Sequence, residues 1–175
     1  MAAIPLTRCV FLLPFANILD EIGAPTPSLL AKFHLPTHLD GKPKHYVPLF
    51  PALRWVATAE VSQGLTDFGF LAGRQLGFEA LNDRFKTTVR HAPTLLAALR
   101  SFCRFVQIED NVLRVRLERN KENLKVCFTN IAPGAERMPH LEHAQWIQNL
   151  MSVQIVRQFA GSDWMPSTFA FQAHY

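Results

Sequence analysis

The chain has 175 residues, 49% of them apolar and 18% charged, with 18 Lys and Arg against 14 Asp and Glu. Such a composition builds a folded domain and excludes a disordered or fibrous chain. The longest apolar run, Cys9 to Ala16, falls far short of the roughly 20 residues that span a bilayer. The opening also lacks the order of a secretory signal, so a soluble cytoplasmic protein with no membrane contact is expected.

Thr7 is expected to cap a helix reaching Ile22, with Leu12, Ala16, Leu19 and Ile22 on one stripe. Gly23 suits a left-handed cap, and Pro25 blocks continuation. A short helix follows from Ser28 to His34, then a polar loop from His38 to Tyr46. Pro48 suits a first helical position, with Leu49, Leu53, Val56 and Ala57 at helical spacing up to Gly64.

Phe68, Leu71, Ala72 and Leu76 describe a short helix that carries Gly69 and Gly73, with Gly77 just beyond. Glycine costs about 1 kcal/mol against alanine inside a helix, so three at a spacing of four need a reason. Close packing of another element is the first reading, and a ligand lying against a smooth face is the second. The run from Phe78 to His91 places Phe78, Leu81, Phe85 and Val89 on one face. Pro93 and Thr94 open a strongly amphipathic helix to Gln107, with Leu95, Leu96, Leu99, Phe102, Cys103 and Val106 apolar.

The period then changes to two. Leu113, Val115 and Leu117 alternate with charges, as do Leu124, Val126 and Phe128, and Asn120 to Asn123 makes a polar turn: a hairpin over 112–130. A loop from Pro133 to Pro139 leads to a long helix from His140 to Ala160, closed by Gly161. A last strand is expected over 168–172, with Phe169 and Phe171 inward. The order gives an α+β fold, mostly helical with a small antiparallel sheet. A single domain is expected over 1–175, its N-terminal helices (7–46) packing on a core of 47–175.

The last helix is apolar on more than one side, with Ile147, Met151 and Ile155 in one line. Such a helix is buried on both sides or meets a partner, and both readings stand. Cys9, Cys103 and Cys127 lack CxxC spacing and sit among apolar neighbours, so they read as core thiols in a reducing compartment. Ten cations fall between Arg84 and Lys125 against four carboxylates from Glu109 onward. Without interleaved aromatics they read as a solvated face rather than a platform for single strands.

Chemistry-bearing motifs are missing. There is no GxSxG elbow, no P-loop and no GxGxxG. Adjacent pairs such as Asp20 with Glu21 diverge on an element and make poor acid/base couples. His140 and His143 are three apart, but a metal needs more ligands. Glu142 is expected to point elsewhere, so neither a metal nor a cofactor is expected.

Taken together, the phrases Phe68-Gly69-Phe70-Leu71-Ala72-Gly73, then Gly77, then Ala92-Pro93-Thr94-Leu95 through Leu99, then Arg104-Phe105 and the charged hairpin, carry a resemblance. So do Ile22-Gly23 with Ser28-Leu29-Leu30 near the start, and Trp164-Met165-Pro166 with Phe169-Ala170-Phe171 near the end. The chain resembles the N-terminal effector domain of AraC-type transcriptional regulators, in the branch often labelled arabinose-binding. It departs at Leu96 and Ala97, where the family often has glycine and glutamate, and it lacks a second glycine pair around Phe78 to Asn82.

The resemblance implies a regulatory domain and not an enzyme. It would bind a small effector of unknown identity, form a homodimer, or do both, and so control a helix-turn-helix half. That half lies outside these residues, so DNA would be met only through it. The expected pocket lies between the glycine helix and the helix from Thr94 to Gln107, with Phe78, Phe102 and Trp146 as walls and Arg74 and His91 orienting a carboxylate. The expected dimer contact is Ile147, Met151 and Ile155. Two alternatives are a module that only dimerises, without a ligand, and, further off, a small cofactor-independent enzyme.

Overall fold

A computed structural model describes residues 4–41, 44–132 and 140–171. The chain runs β1 (Leu6–Arg8), a 3-10 turn (Cys9–Phe11), α1 (Leu13–Glu21), α2 (Thr26–Lys32), β2 (Tyr46–Pro48), α3 (Leu49–Gln63) and α4 (Phe68–Gln75). It continues through a 3-10 turn (Phe78–Ala80), α5 (Asp83–Arg90), α6 (Leu95–Glu109), β3 (Leu113–Arg119), β4 (Leu124–Asn130) and α7 (Leu141–Ala160). The fold is α+β and mostly helical, as expected from the sequence. The expected loop over 133–139 lies outside the described residues.

Local signals hold where the helix ends are concerned. The Thr94 hydroxyl accepts the Ala97 N–H at 3.2 Å and starts α6, which buries Ala98, Leu99, Phe102, Val106 and Glu109 at helical spacing. The Asn82 side chain does the same for α5, accepting the Arg84 N–H at 3.0 Å. Gly64 closes α3 at φ 62°. In the β3–β4 hairpin Leu113 pairs with Asn130 and Arg119 with Leu124. Asn120 Oδ1 caps the turn by accepting from Asn123 N at 2.6 Å.

Two expectations fail at the chain's ends. Thr7 caps no helix. It stands in β1, opposite Val47 of β2, and α1 begins only at Leu13 behind Leu12. The strand is held on its other side too: Leu6 donates to Asn111 Oδ1 at 2.8 Å, Asn111 N donates to Leu6 O at 3.1 Å, and Thr7 bridges Asp110. Backbone pairing with distant partners therefore overrides the local cap signal. Near the C-terminus, residues 168–171 form no strand and Gln172 lies outside the described residues. Phe169 and Phe171 do alternate inward, but they meet the Trp146 ring at 6.1 and 4.5 Å. Aromatic packing fastens this segment instead of strand pairing among the described residues.

One contiguous core runs from Cys9 to Val156, with Trp55, Phe68 and Phe85 among its fully enclosed side chains. Helix α7 crosses it, and burial explains its all-round apolarity: Leu150, Val153 and Val156 are buried as well as the Ile147 line. The glycines of α4 let it approach α7. A Cβ at Gly69 would lie 2.8 Å from the Cα of His143, and one at Gly73 would lie 2.6 Å from Leu150 Cδ1. Gly77 faces open space.

The obstacles differ in kind. The backbone at His143 cannot step aside as the end of a leucine can. Gly69→Ala is expected to destabilise by about 1–3 kcal/mol despite its better helix propensity. Gly73→Ala should cost less than about 1 kcal/mol, and Gly77→Ala should be neutral or slightly stabilising. Urea denaturation of the three variants checks this order; equal effects at Gly69 and Gly77 would remove close approach as the reason for the spacing.

Candidate functional site

Helices α3, α6 and α7 and the hairpin surround a cavity of about 80 Å³. Helical spacing supplies its walls: Leu49, Leu53 and Val56 from α3, Phe102 and Val106 from α6, and Ile147 and Met151 from α7. Phe11, Leu12 and Phe15 close it from the N-terminal turn and α1, and Leu113 and Phe128 close it from the hairpin. Phe102 is fixed in place by stacking on Phe85 at 5.6 Å and by the edge of Phe128 at 5.9 Å.

Few polar groups reach this space, among them Thr7, Glu109, Asp110, His143 and Gln148. Glu109 is committed elsewhere. Its Oε2 lies 2.6 Å from Arg8 Nη1, both side chains being buried, and its Oε1 accepts the Asn82 N–H at 2.7 Å. The Arg8 guanidinium also donates to Ala80 O at 3.0 Å. The Asp110 carboxylate accepts from Val112 N at 3.1 Å, yet burial dominates and pushes its pKa up to about 6. His143 is 2% exposed, and neither ring nitrogen has a hydrogen-bond partner. Glu60 Oε2 comes within 3.3 Å of its Nε2, off the line that a hydrogen bond requires. Burial holds this imidazole below its ordinary range, against the pull of Glu60 and Glu142.

Of the side chains expected to line a pocket, Phe102 does so. Phe78 is buried under the Arg90 guanidinium, 5.4 Å from its ring centroid. Trp146 lies in the seam with α4, 4.9 Å from Phe70. Arg74 is exposed over Phe70 at 5.7 Å, and His91 is exposed with its Nδ1 2.8 Å from Thr87 O. Neither lines the cavity. The expected floor between α4 and α6 is displaced because the glycines bring α4 against α7. Ile147, Met151 and Ile155, expected at a dimer contact, are buried at 7%, 4% and 0% exposure. Ile147 and Met151 are cavity walls instead.

A helical α+β domain built around a mostly apolar cavity is suited to hold a small ligand. The family model for the arabinose-binding domain of AraC transcription regulator, N-terminal, matches residues 23–174, and the chain belongs to that family. The family is a regulatory ligand-binding class and not an enzyme class. No curated protein matches the chain. Among the described residues no helix is long and apolar enough to cross a membrane.

Proposed function

We propose that the α3–α6–α7 cavity receives a small, largely apolar effector, and that its occupancy sets DNA binding by a helix-turn-helix half of a cytoplasmic regulator. The observation that carries this reading is the cavity's almost wholly apolar lining in the middle of the domain. Apolar pockets with a few convergent polar groups are the usual form of ligand sites, at about 300–1,000 Å³. At about 80 Å³ this one is too small as it stands. An effector therefore has to part α7 or the hairpin from α6, and that difference between empty and filled arrangements is what a regulatory coupling needs.

The whole chain acts as this one regulatory unit. Homodimerisation, if it transmits the change, uses a surface other than Ile147, Met151 and Ile155. A ligand-independent dimerisation module through that line of α7 is disfavoured by the same burial.

A thermal-shift series with medium-chain fatty acids, indole and aromatic acids tests the reading. A ligand at a hundred times its Kd adds about 2.7 kcal/mol of stability. Ala52→Leu, which pushes a side chain into the cavity from α3, should abolish that gain. No shift from any apolar compound, or an undiminished shift in the filled variant, would sink the proposal.

A further inference from the structure

The start of α7 and the last turn of α3 bring together two imidazoles and two carboxylates. Ligand atoms of His140, Glu142 and His143 all lie within 4.8 Å of one another. Glu142 Oε1 stands 3.5 Å from His140 Nδ1 and 3.9 Å from His143 Nε2. Glu60 Oε2 stands 3.3 Å from the same Nε2. Glu142 thus points between the two histidines, contrary to the expectation from sequence. We propose that His140, His143, Glu142 and Glu60 form a site for a divalent ion of the first transition row, zinc being the probe.

Bonds of about 2.0–2.2 Å to a tetrahedral ion put neighbouring ligand atoms roughly 3.3–3.6 Å apart, close to the 3.5, 3.9 and 3.3 Å gaps that Glu142 and Glu60 make with the two imidazoles. The buried member supplies an independent sign. His143 has a side chain 3% exposed and both ring nitrogens unpartnered. A buried imidazole normally has a partner, and a metal on Nε2 would provide one. Among the described residues Glu60 and Glu142 have no Lys or Arg ion pair, their close partners being these histidines.

Two imidazoles with carboxylates suit zinc and its neighbours better than magnesium or calcium, which prefer all-oxygen shells. The way in is open, since the side chains of His140 and Glu142 are 43% and 56% exposed. An ion here would tie the start of α7 to α3 beside the cavity wall that His143 contributes. The site does not depend on the effector reading and stands or falls separately.

The test is zinc titration of the chelator-stripped chain in competition with a chromogenic chelator, with cobalt absorption as a second readout. One equivalent should bind, with a cobalt spectrum in the visible and a raised melting temperature. His140→Ala and Glu60→Gln should each weaken binding by at least ~10–100-fold, and His140→Ala combined with Glu142→Gln should abolish the thermal shift while leaving the far-UV circular dichroism unchanged. The exposed pair His34→Ala with His38→Ala serves as the control and should change nothing. Absence of a stoichiometric site, binding that survives the His140/Glu142 double substitution, or loss confined to the His34/His38 control would each overturn the assignment.

Discussion

Glu109→Ala is expected to destabilise the domain by about 3–5 kcal/mol, the usual cost of removing one member of a buried ion pair. The residue holds three places at once. It meets Arg8 at 2.6 Å and accepts the Asn82 N–H at 2.7 Å, just before the residue whose helix Asn82 caps. It also ends α6. Truncation takes the Glu109 carboxylate away from the buried Arg8 charge and leaves Asn82 N without its acceptor, losses penalised more than the pair itself contributes. For a domain of this size the melting temperature should fall by roughly 6–20 °C. Replacing both partners, Arg8→Met with Glu109→Met, should recover much of the loss because neither member of the pair is left as a buried charge facing the other's absence. A Glu109→Ala loss below about 1 kcal/mol would show that Arg8 finds equal compensation in solvent.

The second large effect is on pH. Asp110 sits next to this pair with its pKa raised to about 6 from 3.8, mainly by burial. Its protonated form is therefore favoured on folding. The associated stability is complete below about pH 4 and is lost as pH rises through 6, over a range worth roughly 3 kcal/mol. Asp110→Asn keeps an oxygen for the Val112 N–H and removes the titration. The variant should exceed the parent by about 2–3 kcal/mol at pH 8 and match it near pH 4. Denaturant melts at three pH values decide this; a constant offset between the two proteins would mean that Asp110 does not titrate in this window.

Much of the fold was legible because its causes are local. Pro93 with Thr94 opens α6, Gly64 and Gly161 follow α3 and α7, and alternation around Asn120 to Asn123 marks the hairpin. What failed depends on distant partners. Thr7 before an apolar run carries the same local signal whether it caps a helix or joins residues forty positions away. Phe169 and Phe171 alternate as strand residues do, and only the placing of Trp146 decides that they pack rather than pair.

The site was legible in its materials and not in its place. The stripes of α3, α6 and α7 were readable, but a stripe does not say whether it faces a void, a neighbour or another copy. For Ile147 and Met151 both burial and a partner contact therefore stay open in the sequence, and in the structure the two side chains line the cavity. Arg74 and His91 attracted attention by charge alone, which carries no position. Glu142 is expected to point away from the two histidines, but it sits in the first turn of α7 behind His140, which adopts a left-handed backbone at φ 62°.

The short strand β1 has a consequence for how the molecule tolerates being shortened. It lies between β2 on one side and Asp110–Asn111 on the other, ahead of residue 23 where the family match begins. A chain trimmed to start at that boundary would lose β1, the 3-10 turn and α1 together, baring two backbone edges and the core that Phe15 and Leu19 fill. Unpaired edges recruit strands from neighbouring molecules, so the trimmed chain should associate in a concentration-dependent way. A synthetic peptide spanning residues 4–22, added in excess, should compete with that association by restoring both the strand and α1 from outside.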